Sequence, residues 1–295
     1  MLARPWLGRV PADLRSAAFF QDLHPFLQRT LEGPRMQRTS VATLIATAAL
    51  AAAGFLQAAH AGPRLDRIMD TKVLRVGTPG DYRPFAIKAD GGYAGHDIDV
   101  VEAMAKELGV KVEYVPTSWP NLMKDIHADR FDVAVGGITR NVTRIRQIEM
   151  LPGYAPFGKV ALVRAADKDR FRTLADLNRP GVRVIKNPGG TNETFVLENL
   201  KAAEVSTHDR NAEIPALIAE GKGDVMITET YEALYYAKAD PRLYAAFVAA
   251  PLTPQNTLGF MLPKDDADYS RVMEFVWGLM DARGQLKQAA DKWLR

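Results

Sequence analysis

Three short stretches of this chain combine glycines, hydroxyls and charges at spacings suited to holding a small anion. In Gly136-Gly137-Ile138-Thr139, followed by Arg144, glycines end an apolar run and leave backbone N–H groups open to an anion. Thr139 adds a hydroxyl, and Arg144 can grip a carboxylate through two parallel hydrogen bonds. In Asn187-Pro188-Gly189-Gly190-Thr191-Asn192-Glu193 a glycine-rich turn runs into a helix start, where free N–H groups and the helix dipole form an anion seat. It lacks the Gly-Lys-Ser/Thr ending of a nucleotide-binding loop. In Thr228-Glu229-Thr230-Tyr231-Glu232 two acids stand three residues apart at a helix start. Buried among apolar neighbours, one of them could keep its proton at neutral pH and act as a general acid.

Each pattern also has a plain structural account. The first can be a glycine turn with a solvated arginine, and the second an ordinary strand-to-helix turn. The acids can simply favour the positive end of a helix dipole, and Trp119, at another helix start, can be a packed core residue. Other chemistries are narrowed out. There is no cysteine, which excludes thiol catalysis, disulfides and Cys-zinc sites. The five histidines form no i, i+4 pair, so neither a metal nor any other cofactor is expected. No Gly-x-Ser-x-Gly elbow is present.

The elements that must position these residues alternate between strand and helix patterns. Val73–Thr78 reads as a strand. Asp97–Leu108 reads as a helix, with Val101, Met104, Ala105 and Leu108 on one face and Gly109 as its stop. Strand 111–117 follows, then a helix capped by Ser118 with Leu122, Met123 and Ile126 on its apolar face, then strand 131–139. After a break near 153–158 the alternation restarts. Strands at 182–186, 205–207 and 224–228 are separated by helices at about 191–200 and 212–220, with a helix at 231–239 after the last. A strand over 257–262 and a helical C-terminus over 266–294, interrupted near Gly284, complete the chain. The pattern predicts an α/β fold in two lobes, 62–156 with 255–295 and 157–254, hinged at crossovers near 154–158 and 253–257. Ligands of open α/β sheets sit beyond the carboxyl ends of the strands. Two facing sheets would therefore aim the three stretches, with Asp81 and Trp119, at one cleft.

The N-terminus predicts export. Arg38 precedes an apolar, alanine-rich run, Val41–Leu56, too short for a comfortable membrane span. Ala59-His60-Ala61 then forms a small-x-small cleavage site. A cleavable signal peptide over 36–61, cut after Ala61, is expected, with residues 1–35 as an over-extended start and no membrane anchor in the mature part. Of the 38 basic and 35 acidic side chains, six and three lie in residues 1–61, which leaves 32 of each. The sequence pI near 9.0 therefore does not describe the mature chain. A neutral chain offers no electrostatic footprint for nucleic acid.

The motifs, in this order, resemble the family 3 periplasmic solute-binding proteins, which bind amino acids for ABC importers. The likeness is closer to a branch of exported dehydratases built on the same fold. It rests on RLDRI (64–68), LRVGTPGDYRPF (74–85), GGYAGHDIDV (91–100), VPTSWPNLM (115–123), DRFDVAVGGI (129–138) and NPGGTNE (187–193), with TETYEA (228–233) matching less closely. The resemblance implies a periplasmic-binding-protein type II clamp that converts prephenate to phenylpyruvate, or arogenate to phenylalanine. It implies Glu232 as the general acid and Arg144 as the holder of a substrate carboxylate. Asn187, Thr191 and Asn192 would surround the substrate from the second lobe, with Gly137 and Thr139 on the first. Asp81 and Trp119 would line the first lobe and shield Glu232. It also implies a homotrimer. The chain departs from the family pattern at Glu229, where an Asp usually holds an amino group, and at Pro79 and Arg140. The alternative is a non-catalytic binding component that serves an ABC permease. Both readings use the same clamp and differ in whether Glu232 has work to do.

Overall fold

The computed structural model describes residues 62–295; the expected signal peptide and the residues before it lie outside them. Helix α1 (Pro63–Thr71) leads into strand β1 (Val73–Thr78) and a small meander of β2 (Asp81–Tyr82), β3 (Ala86–Ala89) and β4 (Gly92–Ala94). Helix α2 (His96–Leu108) follows, burying Val101, Met104 and Ala105 as the spacing predicts. Gly109 stops it in the left-handed region, at φ +69°. Then come β5 (Lys111–Pro116), α3 (Leu122–His127), β6 (Val133–Ala134), α4 (Val142–Ile145) and β7 (Glu149–Met150).

Strand β8 (Tyr154–Phe157) carries the chain across to β9 (Lys159–Arg164), α5 (Leu174–Leu177), β10 (Arg183–Lys186), α6 (Gly190–Asn199) and β11 (Glu204–Thr207). Helix α7 (Ile214–Ala219), β12 (Val225–Glu229), α8 (Thr230–Ala239) and β13 (Leu243–Ala246) follow. The return runs through β14 (Asn256–Leu258) and β15 (Met261–Leu262) to α9 (Ala267–Ala282) and α10 (Gln285–Trp293).

Two five-stranded sheets result, in the orders β5-β1-β6-β15-β7 and β11-β10-β12-β9-β13. The two-lobed α/β expectation is borne out. In each sheet two strand pairs are parallel and two antiparallel, with β9 and β15 entering antiparallel just after the crossings. In β9 the alternation is visible residue by residue. Val160 and Leu162 pack into one apolar cluster, and Ala161 and Val163 into another on the opposite face, so the second sheet is covered on both sides.

Several local expectations are corrected. Ser118 caps no helix. Pro120 disfavours helical backbone at Trp119, and α3 starts only after Asn121. The strand expected over 131–139 shortens to β6, because Gly136 and Gly137 turn the chain at φ +123° and +73°. The strand expected over 257–262 divides at Gly259, which lies hard against the Arg140 side chain. The break at 153–158 contains β8, and β8 pairs antiparallel with β14, so the two crossings run side by side. Strand β9 and the β2–β4 meander were not read from the sequence.

Candidate functional site

The antiparallel register of the second sheet creates the central pair. Glu229, the last residue of β12, lies opposite Lys159, the first of β9. Lys159 Nζ donates to Glu229 Oε1 at 2.6 Å, to Thr191 Oγ1 at 2.8 Å, and to Asn192 Oδ1. The Tyr82 hydroxyl donates to Glu229 Oε2, and Thr139 Oγ1 to Oε1 at 3.1 Å. Lys159 and Glu229 are only 6% and 3% exposed, so their charges have almost no help from water. Burial pushes the Glu229 carboxyl up to about 8 and draws the Lys159 amine well below its usual range, with the Arg144 charge adding to the latter. Burial thus disfavours the charged form of each partner, and the hydrogen bonds around them oppose it.

Glu232 sits in the first turn of α8 and is completely buried. Asn211 Nδ2 donates to its Oε1 at 2.7 Å, and the Thr228 hydroxyl bonds its Oε2. Burial holds the Glu232 carboxyl well above the usual carboxylate range. The two hydrogen bonds oppose that shift, and the charges of Glu229 and Asp81 reinforce it. Among the described residues no cation is bonded to it. The balance favours the carboxylic acid over the carboxylate.

The cavity between the sheets is nearly filled, with a free volume of about 20 Å³, so a ligand the size of a ring needs the cleft to open. Tyr82, Trp119, Gly137, Thr139 and Arg144 line it from the first sheet. Asn187, Thr191, Asn192, Asn211 and Glu229 line it from the second. Arg144 Nη1 donates to the Thr139 carbonyl at 2.6 Å, which holds the guanidinium at the wall. Burial lowers its pKa to about 10, so it stays charged at neutral pH. Asp81 and Glu232 stand behind the wall, joined to it by Asn211. Trp119 Nε1 donates to Asp81 Oδ1 at 2.8 Å, Asn211 N to Asp81 Oδ2 at 3.4 Å, and Asn211 Nδ2 to the Asp81 carbonyl at 3.3 Å. Burial raises the Asp81 pKa as well.

The structure thus brings Arg144, Trp119, Gly137, Thr139, Asn187, Thr191, Asn192 and Glu229 to one cavity. Three expectations need correction. The N–H groups of Gly136 and Gly137 are not open to a ligand; both donate to Asp97 Oδ2, at 2.9 and 2.8 Å. The anion in that nest is the chain's own, supplied from α2 and also bonded by the Tyr154 hydroxyl at 2.5 Å. Gly137 serves the wall by lacking a side chain, since a Cβ there would come within 2.6 Å of the Tyr82 ring. Asp81 lies behind the cavity rather than lining it, and faces an outer groove that also borders Trp119. Arg140 lies away from the cavity, packed against Gly153 and Gly259. The helix start at Gly189–Asn192 is partly filled too, because Glu193 Oε2 accepts from Gly189 N at 2.7 Å.

Sequence reasoning missed Lys159, Asn211 and Tyr82. Lys159 left one signal, a lone cation opening an apolar strand run, which a buried strand tolerates only with a partner. Asn211 left none, since it lies in a short turn before α7.

Residues 74–295 match the family described as bacterial extracellular solute-binding proteins, family 3. The cyclohexadienyl dehydratase of Pseudomonas aeruginosa is 40% identical over 262 residues, covering 88% of this chain and 96% of that one. A probable amino-acid ABC transporter-binding protein of Haemophilus influenzae is 28% identical, over 88% of this chain and 97% of its own. Among solved structures, an ancestral amino acid-binding protein described as a precursor of cyclohexadienyl dehydratase superposes with a TM-score of 0.73 at 33% identity. It covers 79% of this chain and all of that one. On these grounds the chain belongs to the bacterial extracellular solute-binding proteins of family 3, as a homologue of cyclohexadienyl dehydratase.

Proposed function

We propose that this chain is a periplasmic dehydratase that converts prephenate to phenylpyruvate, or arogenate to phenylalanine, by coupled loss of water and CO2. The observation that carries this reading is Glu232, an acid fully buried, with no cation bonded to it among the described residues and its carboxyl held well above the usual range. Formation of the aromatic ring drives the elimination, so the protein's main chemical task is to protonate the departing ring hydroxyl. One placed acid contributes roughly 10²–10⁴-fold to such a step. Arg144 holds a substrate carboxylate. Lys159 and Glu229, with Thr139, Thr191 and Asn192, hold the polar end of the side chain, and Asn187 and Trp119 close over the ring.

The lobes are assigned as 62–156 with 255–295 and 157–254. The side-by-side crossings β8 and β14 support a hinge between them. Closure would exclude water from Glu232, which strengthens every polar contact inside. The leader over 36–61 would deliver the chain to the periplasm. No helix among the described residues is long and apolar enough to cross a membrane. Assembly as a trimer belongs to the same proposal. A purely binding role beside an ABC permease is the weaker reading, because it gives the buried Glu232 nothing to do.

The test is direct. Residues 62–295 are purified, given prephenate, and phenylpyruvate is followed. Steady turnover is expected. No turnover, with tight binding of an amino acid instead, would leave the chain a binding protein.

A further inference from the structure

Of the buried side-chain polar atoms without a partner among the described residues, one belongs to a residue that lines the cavity, Asn211. It is 1% exposed and lines the cavity. Its Nδ2 donates to Glu232 Oε1 at 2.7 Å and to the Asp81 carbonyl at 3.3 Å, which uses both of its hydrogens. The Asp81 carbonyl can only accept, so the amide cannot be turned over. This leaves Oδ1 as the free end, and among the described residues Oδ1 is buried with no partner. A buried amide oxygen without a donor is costly, and native proteins leave few of them. Oδ1 lacks a hydrogen-bond donor, the residue that carries it lines the cavity, and the group that holds its nitrogen is Glu232.

Building on the proposed dehydratase reading, we infer that Asn211 is a substrate-contacting residue whose Oδ1 accepts a hydrogen bond from the ring hydroxyl that departs. The hydroxyl hydrogen points to Asn211 Oδ1, which turns an oxygen lone pair toward Glu232. As the ring C–O bond breaks, its electron pair stays on oxygen, and the Glu232 proton joins that oxygen to make water. The pair from the bond to the ring carboxylate enters the ring as CO2 leaves. Glu232 ends as a carboxylate and takes its next proton from solvent. Asn211 therefore selects rings that carry a hydroxyl, independently of the contacts that hold the carboxylates. Asn211 also bonds Asp81 from across the cleft, so this acceptor is complete only when the lobes are closed.

The experiment compares binding of two unreactive ligands to the whole mature chain. One is a saturated-ring analogue of prephenate that bears the hydroxyl; the other is its deoxy counterpart. The wild type is expected to prefer the hydroxyl-bearing analogue by about tenfold, the scale of one buried hydrogen bond. Asn211→Leu should abolish that preference while leaving affinity for the deoxy analogue within about threefold. In the same variant, kcat for prephenate should fall far more than KM rises. Equal affinity of the wild type for the two analogues would overturn the proposal without any variant, so a variant that fails to fold does not weaken the test. A crystal structure with a water retained on Oδ1 beside the bound hydroxyl analogue would also overturn it. Failure of prephenate turnover in the wild type would instead count against the dehydratase reading, whatever the analogues show.

Discussion

Two buried clusters of charged residues in this molecule treat their acids in opposite ways. At the base of the first lobe, Asp132 is completely buried but receives Arg64 at 2.9 Å, Arg75 at 2.8 Å, and Arg67. Burial alone would raise its pKa. The hydrogen bonds from Arg75 and Arg67 outweigh burial and hold it below the usual range. Asp224 in the second lobe repeats the pattern with Arg183 and Arg164, and its pKa is lowered too. In the cleft the balance reverses. Glu229, Glu232 and Asp81 are all pushed up, chiefly by burial, and Glu232 has only a hydroxyl and an amide for company. Burial is common to both clusters, and the number of cations decides the outcome. Acids surrounded by guanidinium groups stay charged and tie elements together. Acids left without them keep protons that chemistry can use.

The largest expected effect comes from breaking the cleft side of this contrast. Glu232→Gln keeps the shape and the Asn211 contact but removes the proton, and kcat should fall by about 10²–10⁴-fold. Ligand affinity measured by titration should change by less than about threefold. On the other side, Asp132→Asn leaves three guanidinium groups facing an uncharged amide. Stability in urea should drop by about 3 kcal/mol, the scale of a broken buried charge network, with kcat for the folded fraction unchanged.

The smaller effect is in pH. An unfolded Glu loses its proton near pH 4.3, whereas folded Glu232 keeps it to higher pH. Above about pH 4.3 the native state therefore binds more protons than the unfolded chain at this position. Its contribution to stability is complete below that value and declines as pH rises toward the folded pKa. The slope is at most about 1.4 kcal/mol per pH unit. Asp132 acts in the opposite sense. Its contribution is present above the unfolded value near 3.9 and is lost as pH falls through its lowered folded value. Urea titrations of wild type and Glu232→Gln across this range should differ in slope only on the alkaline side of pH 4.3.

The sequence carried much of the site because its pieces are local. The Gly136–Arg144 and Asn187–Asn192 stretches and the Glu229–Glu232 pair each follow a strand end, and strand ends converge in this kind of fold. It failed where partners come from far along the chain. The nest at Gly136 and Gly137 looked free because Asp97, its occupant, belongs to a different helix. Lys159 faces Glu229 only because β9 enters the second sheet antiparallel beside β12, a register that no local pattern encodes. Asn211 matters through one orphaned oxygen, which is invisible until both of its nitrogen partners are in place.

The central claim is that Glu232 is a carboxylic acid at neutral pH in the closed protein. Infrared difference spectroscopy between wild type and Glu232→Gln at pH 7 reads this directly. A carbonyl stretch of a protonated carboxyl group, present in the wild type and absent from the variant, is the predicted result. A carboxylate band in its place would contradict the account.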